Sequence, residues 1–265
     1  MIVRTVILFA VIFNNKPEIF CDLGHLEVSF SNILKGIGDL GFFMKMAKGQ
    51  TSIYIHEQEL VLLPAGAVYF PAWNSLLVAD LHLGKAAHFR KNGIPVPPQA
   101  DEANWFQLAS VLDNHPGADL IFLGDLFHSD YNTDWDNMAE LKGHYRDHRF
   151  ILVRGNHDIL DGEHYGETGI EVCETMDLGP FLLTHHPLEE VPSGKYNLAG
   201  HIHPGVRLKG RGRQRIAVPC FYFDVKNGIL PAFGAFKGKH LLEPGKGSRV
   251  FVITGDAVID ASANF

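Results

Sequence analysis

The sequence predicts an α/β protein, and three observations carry that prediction. Three apolar runs, Leu76–Ala79, Leu120–Leu123 and Phe150–Val153, are each followed at once by glycine or polar residues. Segments with apolar or polar side chains at helical spacing, 99–114 and 134–147, lie between them. Beyond Val172 the chain breaks into short strand-like stretches divided by Gly and Pro, namely 181–184, 196–199, 215–218 and 249–254, which points to a second, more antiparallel sheet.

Taken in order, the first 13 residues have the charged start and apolar core of a signal peptide, but residues 14–23, NNKPEIFCDL, contain no small-residue cleavage site. The same run is shorter than the roughly 20 residues that cross a bilayer. Residues 14–45 have no periodicity, so 1–45 read as an N-terminal extension and 46–265 as the folded domain. Strands are predicted at 52–56 and 59–63, and then the first apolar run ends at Asp80.

With 46% hydrophobic and 20% charged residues in 265, the chain can bury a sizeable core. A formal charge of −7 argues against broad attraction to nucleic acid, so a polyanion would have to meet a local basic patch. The 3 cysteines, Cys21, Cys173 and Cys220, lack paired spacing and suggest neither a disulfide framework nor a zinc ribbon, which fits the cytoplasm. Of the 15 histidines, His82, His157, His185, His186, His201 and His203 crowd into short motifs, a pattern of metal or proton chemistry.

Each motif is weak alone. Asp80-Leu-His82 puts a carboxylate and an imidazole two residues apart, where an extended backbone would turn both to one face. Gly124-Asp125 adds a carboxylate that could bridge two cations. Gly155-Asn156-His157-Asp158 comes after the third run, although a capped turn would explain Asn and Asp there equally well. His185-His186 and His201-Ile-His203 come after two later strands. Together they form a mixed carboxylate, amide and imidazole set without thiolates, which suits Mn²⁺, Fe or Zn²⁺ and not a structural zinc site.

The ordered series from about residue 75 to 205 resembles the calcineurin-like metallophosphoesterases. That resemblance implies a four-layer α/β/β/α sandwich of two mixed sheets flanked by helices. It also implies two divalent cations, Mn²⁺ first and Fe or Zn²⁺ as alternatives. Asp80, His82, Asp125 and His203 would surround one, and Asp125, Asn156, His185 and His201 the other. Within the family, the segments LLVADLHLGKAAHFRKNGIPVP, GDLFHSD, VPCFYF and LPAFGAFKG are similar to the ligase-associated DNA-damage-response phosphoesterases. This finer likeness implies a phosphodiesterase or endonuclease of DNA repair whose companions are an ATP-dependent DNA ligase and a helicase.

In the implied reaction, the cations lower the pKa of a shared water and His157 is the general acid, with Asp158 orienting it. His128 and His186 are candidates for substrate contact. Arg207, Lys209, Arg211, Arg213 and Arg215 alternate along a segment that, as a hairpin, would line one face and meet a phosphate backbone. Lys85, Arg90 and Lys91 could extend that patch. A phosphodiesterase of small or cyclic nucleotides is the alternative reading, and a non-catalytic scaffold on the same fold is a third, which the complete ligand set opposes.

Overall fold

A computed structural model describes residues 49–85, 89, 99–128, 133–210, 214–234 and 238–265. The extension expected over 1–45 lies outside the described residues, as do Arg90, Lys91, Arg211 and Arg213.

The first sheet has seven strands in sequential order: β1 (Thr51–Ile55), β2 (Gln58–Leu62), β3 (Val68–Phe70), β4 (Ser75–Val78), β5 (Asp119–Leu123), β6 (Phe150–Val153) and β7 (Ile170–Cys173). The first four pair antiparallel and the last four parallel. Parallel pairing needs crossovers, and two helices supply them: α1 (Gln99–Asp113) between β4 and β5, and α2 (Thr133–His144) between β5 and β6. A short helix, α3 (Gly162–Glu167), precedes β7, its first turn capped by the Asp161 carboxylate, which accepts from Glu163 N and His164 N.

The second sheet begins with β8 (Met176–Leu178), β9 (Phe181–Leu183) and β10 (Tyr196–Ala199). It continues with β11 (Pro204–Lys209), β12 (Arg215–Phe223), β13 (Asn227–Ile229), β14 (His240–Leu241), β15 (Arg249–Thr254) and β16 (Ala257–Asp260). It is mixed: β9, β10 and β13 run parallel, and the β11–β12 and β12–β15 pairs run antiparallel.

The alternation of side chains explains the layers. Leu77, Ala79, Ile121, Leu123, Ile151 and Val153 of the first sheet meet Phe181, Leu183, Leu198, Phe221, Phe223 and Phe251 of the second in one buried cluster. Each large side chain buried there contributes about 1.5–3 kcal/mol. The residues between, such as Leu120, Phe122 and Phe150, are buried on the opposite face, where Lys142 of α2 lies 5.6 Å over the Phe150 ring. The far side of the second sheet holds a smaller cluster around Val206, Val218, Cys220, Val250 and Val252. Among the described residues no α-helix comes after α3, so a 3-10 turn at Ser262–Asn264 and its neighbour Ala261 close that side.

The hairpin between β1 and β2 runs one residue earlier than the periodicity predicts. Its turn residues, His56 and Glu57, both take left-handed φ (48° and 63°), a conformation that tight hairpins require and that neither residue type announces.

Burial pushes the Cys220 thiol up to about 12. In the unfolded chain the thiol returns to its usual value near 8.5. The unfolded state therefore loses its proton first, and stability is expected to fall as pH rises above about 8.5. The folded protein at pH 8 should leave Cys220 unmodified by iodoacetamide, with alkylation appearing only on denaturation in urea, as read by peptide mass spectrometry.

Candidate metal centre

Five strand ends deliver the polar motifs to one rim. The loops after β4, β5 and β6 carry Asp80 and His82, Asp125, and Asn156 to Asp158; those after β9 and β10 carry His185 and His186, and His201 and His203. In a parallel arrangement, carboxyl ends of neighbouring strands converge, and here both sheets present theirs together. The sheets are joined at this rim by a bridge between Ala79 and Ala232, with Phe233 N donating to Ala79 O at 2.8 Å.

The backbone of the centre is not extended, contrary to the sequence reading of Asp80-x-His82 and His201-x-His203. Asp80, His82, Asp125, His201 and His203 all take left-handed φ between 43° and 66°. Such a conformation costs on the order of 1–3 kcal/mol for a non-glycine residue and persists only where the surroundings impose it. The surroundings here are backbone hydrogen bonds between loops. Asp80 N donates to Gly124 O at 3.2 Å, and His82 N to Asp125 O at 2.8 Å. His201 N donates to Asp80 Oδ2 at 2.8 Å.

The structure brings carboxylate and imidazole atoms together in overlapping groups. Oxygen or nitrogen atoms of Asp80, His82 and His203 lie within 4.8 Å of one another, as do those of Asp80, Asp125 and His185. Asp125 faces both ways: Oδ2 is 3.7 Å from His82 Nε2, and Oδ1 is 3.4 Å from His185 Nε2. His185 Nε2 is also 3.0 Å from Asn156 Oδ1 and 3.2 Å from His201 Nδ1. The other His185 nitrogen, Nδ1, lies 2.9 Å from Leu123 O, an acceptor, so Nδ1 bears a proton and Nε2 is the nitrogen turned to the other ligands.

These donors fit cations. Asp80 is fully buried, yet among the described residues its Oδ1 meets no hydrogen-bond donor, and its neighbours are His203 Nε2 at 3.4 Å and His185 Nδ1 at 4.0 Å. A buried, unsatisfied carboxylate oxygen is costly unless something positive meets it. Atoms that share a cation at about 2.1 Å sit about 3–3.5 Å apart, and this is the range in which His82, His203 and Asp80 face one another. Burial and the neighbouring imidazoles hold the His201 and His186 rings below the usual histidine value, which keeps them neutral as ligands must be.

The two residues chosen for proton transfer are placed differently. His157 is exposed, its N–H donates to Asp125 Oδ1 at 2.9 Å, and its ring stands 5.4 Å from that of His82. Asp158 does not orient it. The buried Asp158 carboxylate accepts from Asp125 N (2.8 Å), Leu126 N (3.0 Å), Gly155 N (2.9 Å) and the Tyr165 hydroxyl (3.4 Å), and among the described residues no hydrogen bond joins it to the His157 ring. It clamps the Asp125 loop to the Asn156 loop, and burial raises its carboxyl above the usual range. The ring that does stack on His157 belongs to His128, 5.5 Å away at 30°. His186 lies 4.0 Å from the His201 ring, close enough that His185, His186 and His201 could together hold a cation.

Three glycines allow this crowding. A Cβ on Gly124 would strike the His185 ring, one on Gly155 would strike Asp125 N, and one on Gly200 would lie 2.6 Å from Asp80 Oδ2. Only Gly124 also needs left-handed φ, so at the other two the requirement is close approach alone.

Away from the centre, the register of β11 and β12 sets Lys209 opposite Arg215 and Arg207 opposite Ala217. Directly opposed residues share a face, so Arg207, Lys209 and Arg215, all exposed, line one side of the hairpin. Beside His203 opens a cleft of about 190 Å³ lined by Pro204, Pro219, Pro231, Ala232 and Lys239 among others.

The comparisons agree with this geometry. The family model of the calcineurin-like phosphoesterases matches residues 74–199, ending just before His201. The crystal structure of Pseudomonas putida nuclease MPE is 31% identical, covering 80% of this chain and 100% of that one, with a TM-score of 0.67. A search of curated protein sequences finds no match. The chain belongs to the calcineurin-like phosphoesterases, and as such it is a metal-dependent phosphoester hydrolase. Among the described residues no helix is long and apolar enough to cross a membrane.

The crowding and the clamp can each be read in stability. Gly200→Ala, which sets a methyl against Asp80, should cost about 1–3 kcal/mol in urea denaturation. Gly162→Ala, with nothing within 4 Å, should change it by less than about 1 kcal/mol. Asp158→Ala, which strands three backbone donors, should cost about 2–4 kcal/mol, whereas His157→Ala should leave the midpoint nearly unchanged. Equal effects of the last two substitutions would contradict the clamp.

Proposed function

We propose that the protein is a two-cation phosphodiesterase that cleaves phosphodiester bonds in DNA. The observation that carries the reading is the Asp125 carboxylate, which offers one oxygen to the Asp80, His82, His203 group and the other to the Asn156, His185, His201 group. A carboxylate shared in this way defines two sites a few ångströms apart, the arrangement of two-metal hydrolases. Asp80, His82, Asp125 and His203 would hold one cation, and Asp125, Asn156, His185 and His201 the other.

When bound, the two cations supply a nucleophilic water of lowered pKa and neutralise charge on the phosphoryl oxygens. The donor set, three oxygen ligands and four imidazoles without a thiolate, suits Mn²⁺, Fe or Zn²⁺, and Mn²⁺ is the cation we put first. The protein's own contribution is positioning and a proton. His157, exposed beside His82, donates a proton to the leaving oxygen, and its peptide N–H bond to Asp125 fixes the distance from which it acts. His128, stacked on His157, steadies that ring in the orientation the transfer needs. His186 faces substrate from the His201 side.

DNA is favoured as substrate by the three cations on one face of the β11–β12 hairpin, which begins at Pro204 directly after His203. Arg211 and Arg213, outside the described residues, continue the alternation in sequence. The likeness to a nuclease supports the same choice. A role in DNA repair, in the cytoplasm beside an ATP-dependent ligase and a helicase, rests on the segments similar to the ligase-associated phosphoesterases. The small-nucleotide reading has one observation in its favour, the proline-lined cleft beside His203, which is too small to admit a duplex.

The deciding measurement is Mn²⁺-dependent hydrolysis of bis-p-nitrophenyl phosphate and of nicked DNA. Asp125→Ala should lower kcat/KM on both by at least about 10³-fold, and His157→Ala should lower kcat by about 10²–10⁴-fold. Turnover untouched by either substitution would sink the assignment, and cleavage of the small diester alone would favour the nucleotide reading. The double variant Arg207→Ala, Arg215→Ala should weaken DNA binding and reduce the slope of log K against log salt by about 2.

A further inference from the structure

Consecutive residues of a strand point to opposite faces, so His185 and His186 cannot both reach one site from regular β9 geometry. They do reach one site: the His185 and His186 rings lie 4.9 Å and 4.0 Å from that of His201. The chain must therefore leave the strand directly after Leu183, and the backbone groups released by that departure must find other partners.

A buried polar network supplies them. Asn197 lies in the middle of β10, fully buried, on the face opposite its core-packed neighbour Leu198. Its Nδ2 donates to Leu182 O and to Thr184 Oγ1, each at 2.8 Å. With that lone pair used, the Thr184 hydroxyl donates its own proton to His186 O at 2.7 Å. Asn197 Oδ1 accepts from Leu188 N at 3.1 Å. Asn227 of β13 holds the same residue from the other side: its Oδ1 accepts from Leu188 N at 3.2 Å, and its Nδ2 donates to Leu188 O at 3.1 Å. Two backbone bonds complete the set, Thr184 N to Leu198 O at 3.1 Å and Gly200 N to His185 O at 3.0 Å.

We infer that Thr184, Asn197 and Asn227 are positioning residues that impose the Thr184–Leu188 turn and so bring both imidazoles to the metal centre. The inference rests on the metal-centre reading and adds to it residues that touch neither cation nor substrate. A fully buried asparagine in a strand costs stability against an apolar residue unless every one of its groups is satisfied, and here each of them ends on the His-bearing turn or the strand that leads into it. Packing alone would be served by leucine at 197; the turn would not.

The test is calorimetric titration of the full chain with Mn²⁺, beside thermal unfolding of the metal-free form. Thr184→Val keeps the shape and removes the hydroxyl, so Mn²⁺ affinity should fall at least tenfold, with kcat falling more than KM rises. Thr184→Ser restores the hydroxyl and should return affinity to within twofold of wild type, which a mere packing role for the threonine methyl would not allow. Asn227→Ala, the least buried of the three, should weaken binding about threefold and serves as the deciding variant if Thr184→Val loses its folding transition. Thr184→Val or, in that case, Asn227→Ala binding Mn²⁺ as tightly as wild type would overturn this proposal alone. A wild type that takes up no cation would sink the metal-centre reading and this proposal with it.

Discussion

The structure turns on a carboxylate that has been taken completely out of water. Asp80 has one oxygen accepting from His201 N and another that meets no donor among the described residues, and several features of the rim go with that arrangement. For His201 N to reach Asp80, the loop after β10 must pass close enough that residue 200 can carry no side chain. For the second oxygen to be tolerated, positive charge must be near, and the ligand atoms of His82, His203 and His185 stand close enough to share a cation with this carboxylate. Asp80 belongs to the first sheet and His201 to the second, so their hydrogen bond is one of the links between the sheets at this rim.

The centre is also where the fold is least at ease. Five of its ligands sit in a backbone conformation that the strands feeding them never use, and the hydrogen bonds that impose it run between loops rather than along strands. The large inter-sheet core below them supplies the stability against which this local cost is small, a division between scaffold and site that is common where chemistry is placed on loops. Asp158 shows how the division is maintained. It looks from sequence like part of the reaction, but its four hydrogen bonds make it a joint between two loops.

Much of this was legible in the sequence. β6, β10 and β15 fall where their apolar runs place them, α1 within one residue of its periodicity, and the ligand motifs fall at strand ends as the runs require. What escaped has physical reasons. Left-handed φ at Asp80, His82, His201 and His203 leaves no trace in a spacing, because two residues of separation converge by either backbone route. The role of Asp158 depends on donors 32 and 33 residues away, invisible to any local pattern. Asn197 hides inside a short buried run, where one polar residue among Tyr196, Leu198 and Ala199 was the available signal. The shared face of Arg207, Lys209 and Arg215 was legible because a hairpin has a period of two, and sequence shows that period directly.

The left-handed ligands have a further consequence, for what the chain can become. β-Branched and bulky side chains are outliers in that region of backbone space, whereas Gly, Asn, Asp and His enter it at modest cost. At positions 80, 82, 125, 201 and 203 the main chain thus screens substitutions before any chemistry does. A lineage relieved of its catalytic duty could drift at these sites only within a short list of small or polar residues, most of which still offer oxygen or nitrogen to a cation. The same backbone that makes the centre costly to build also makes it slow to erase.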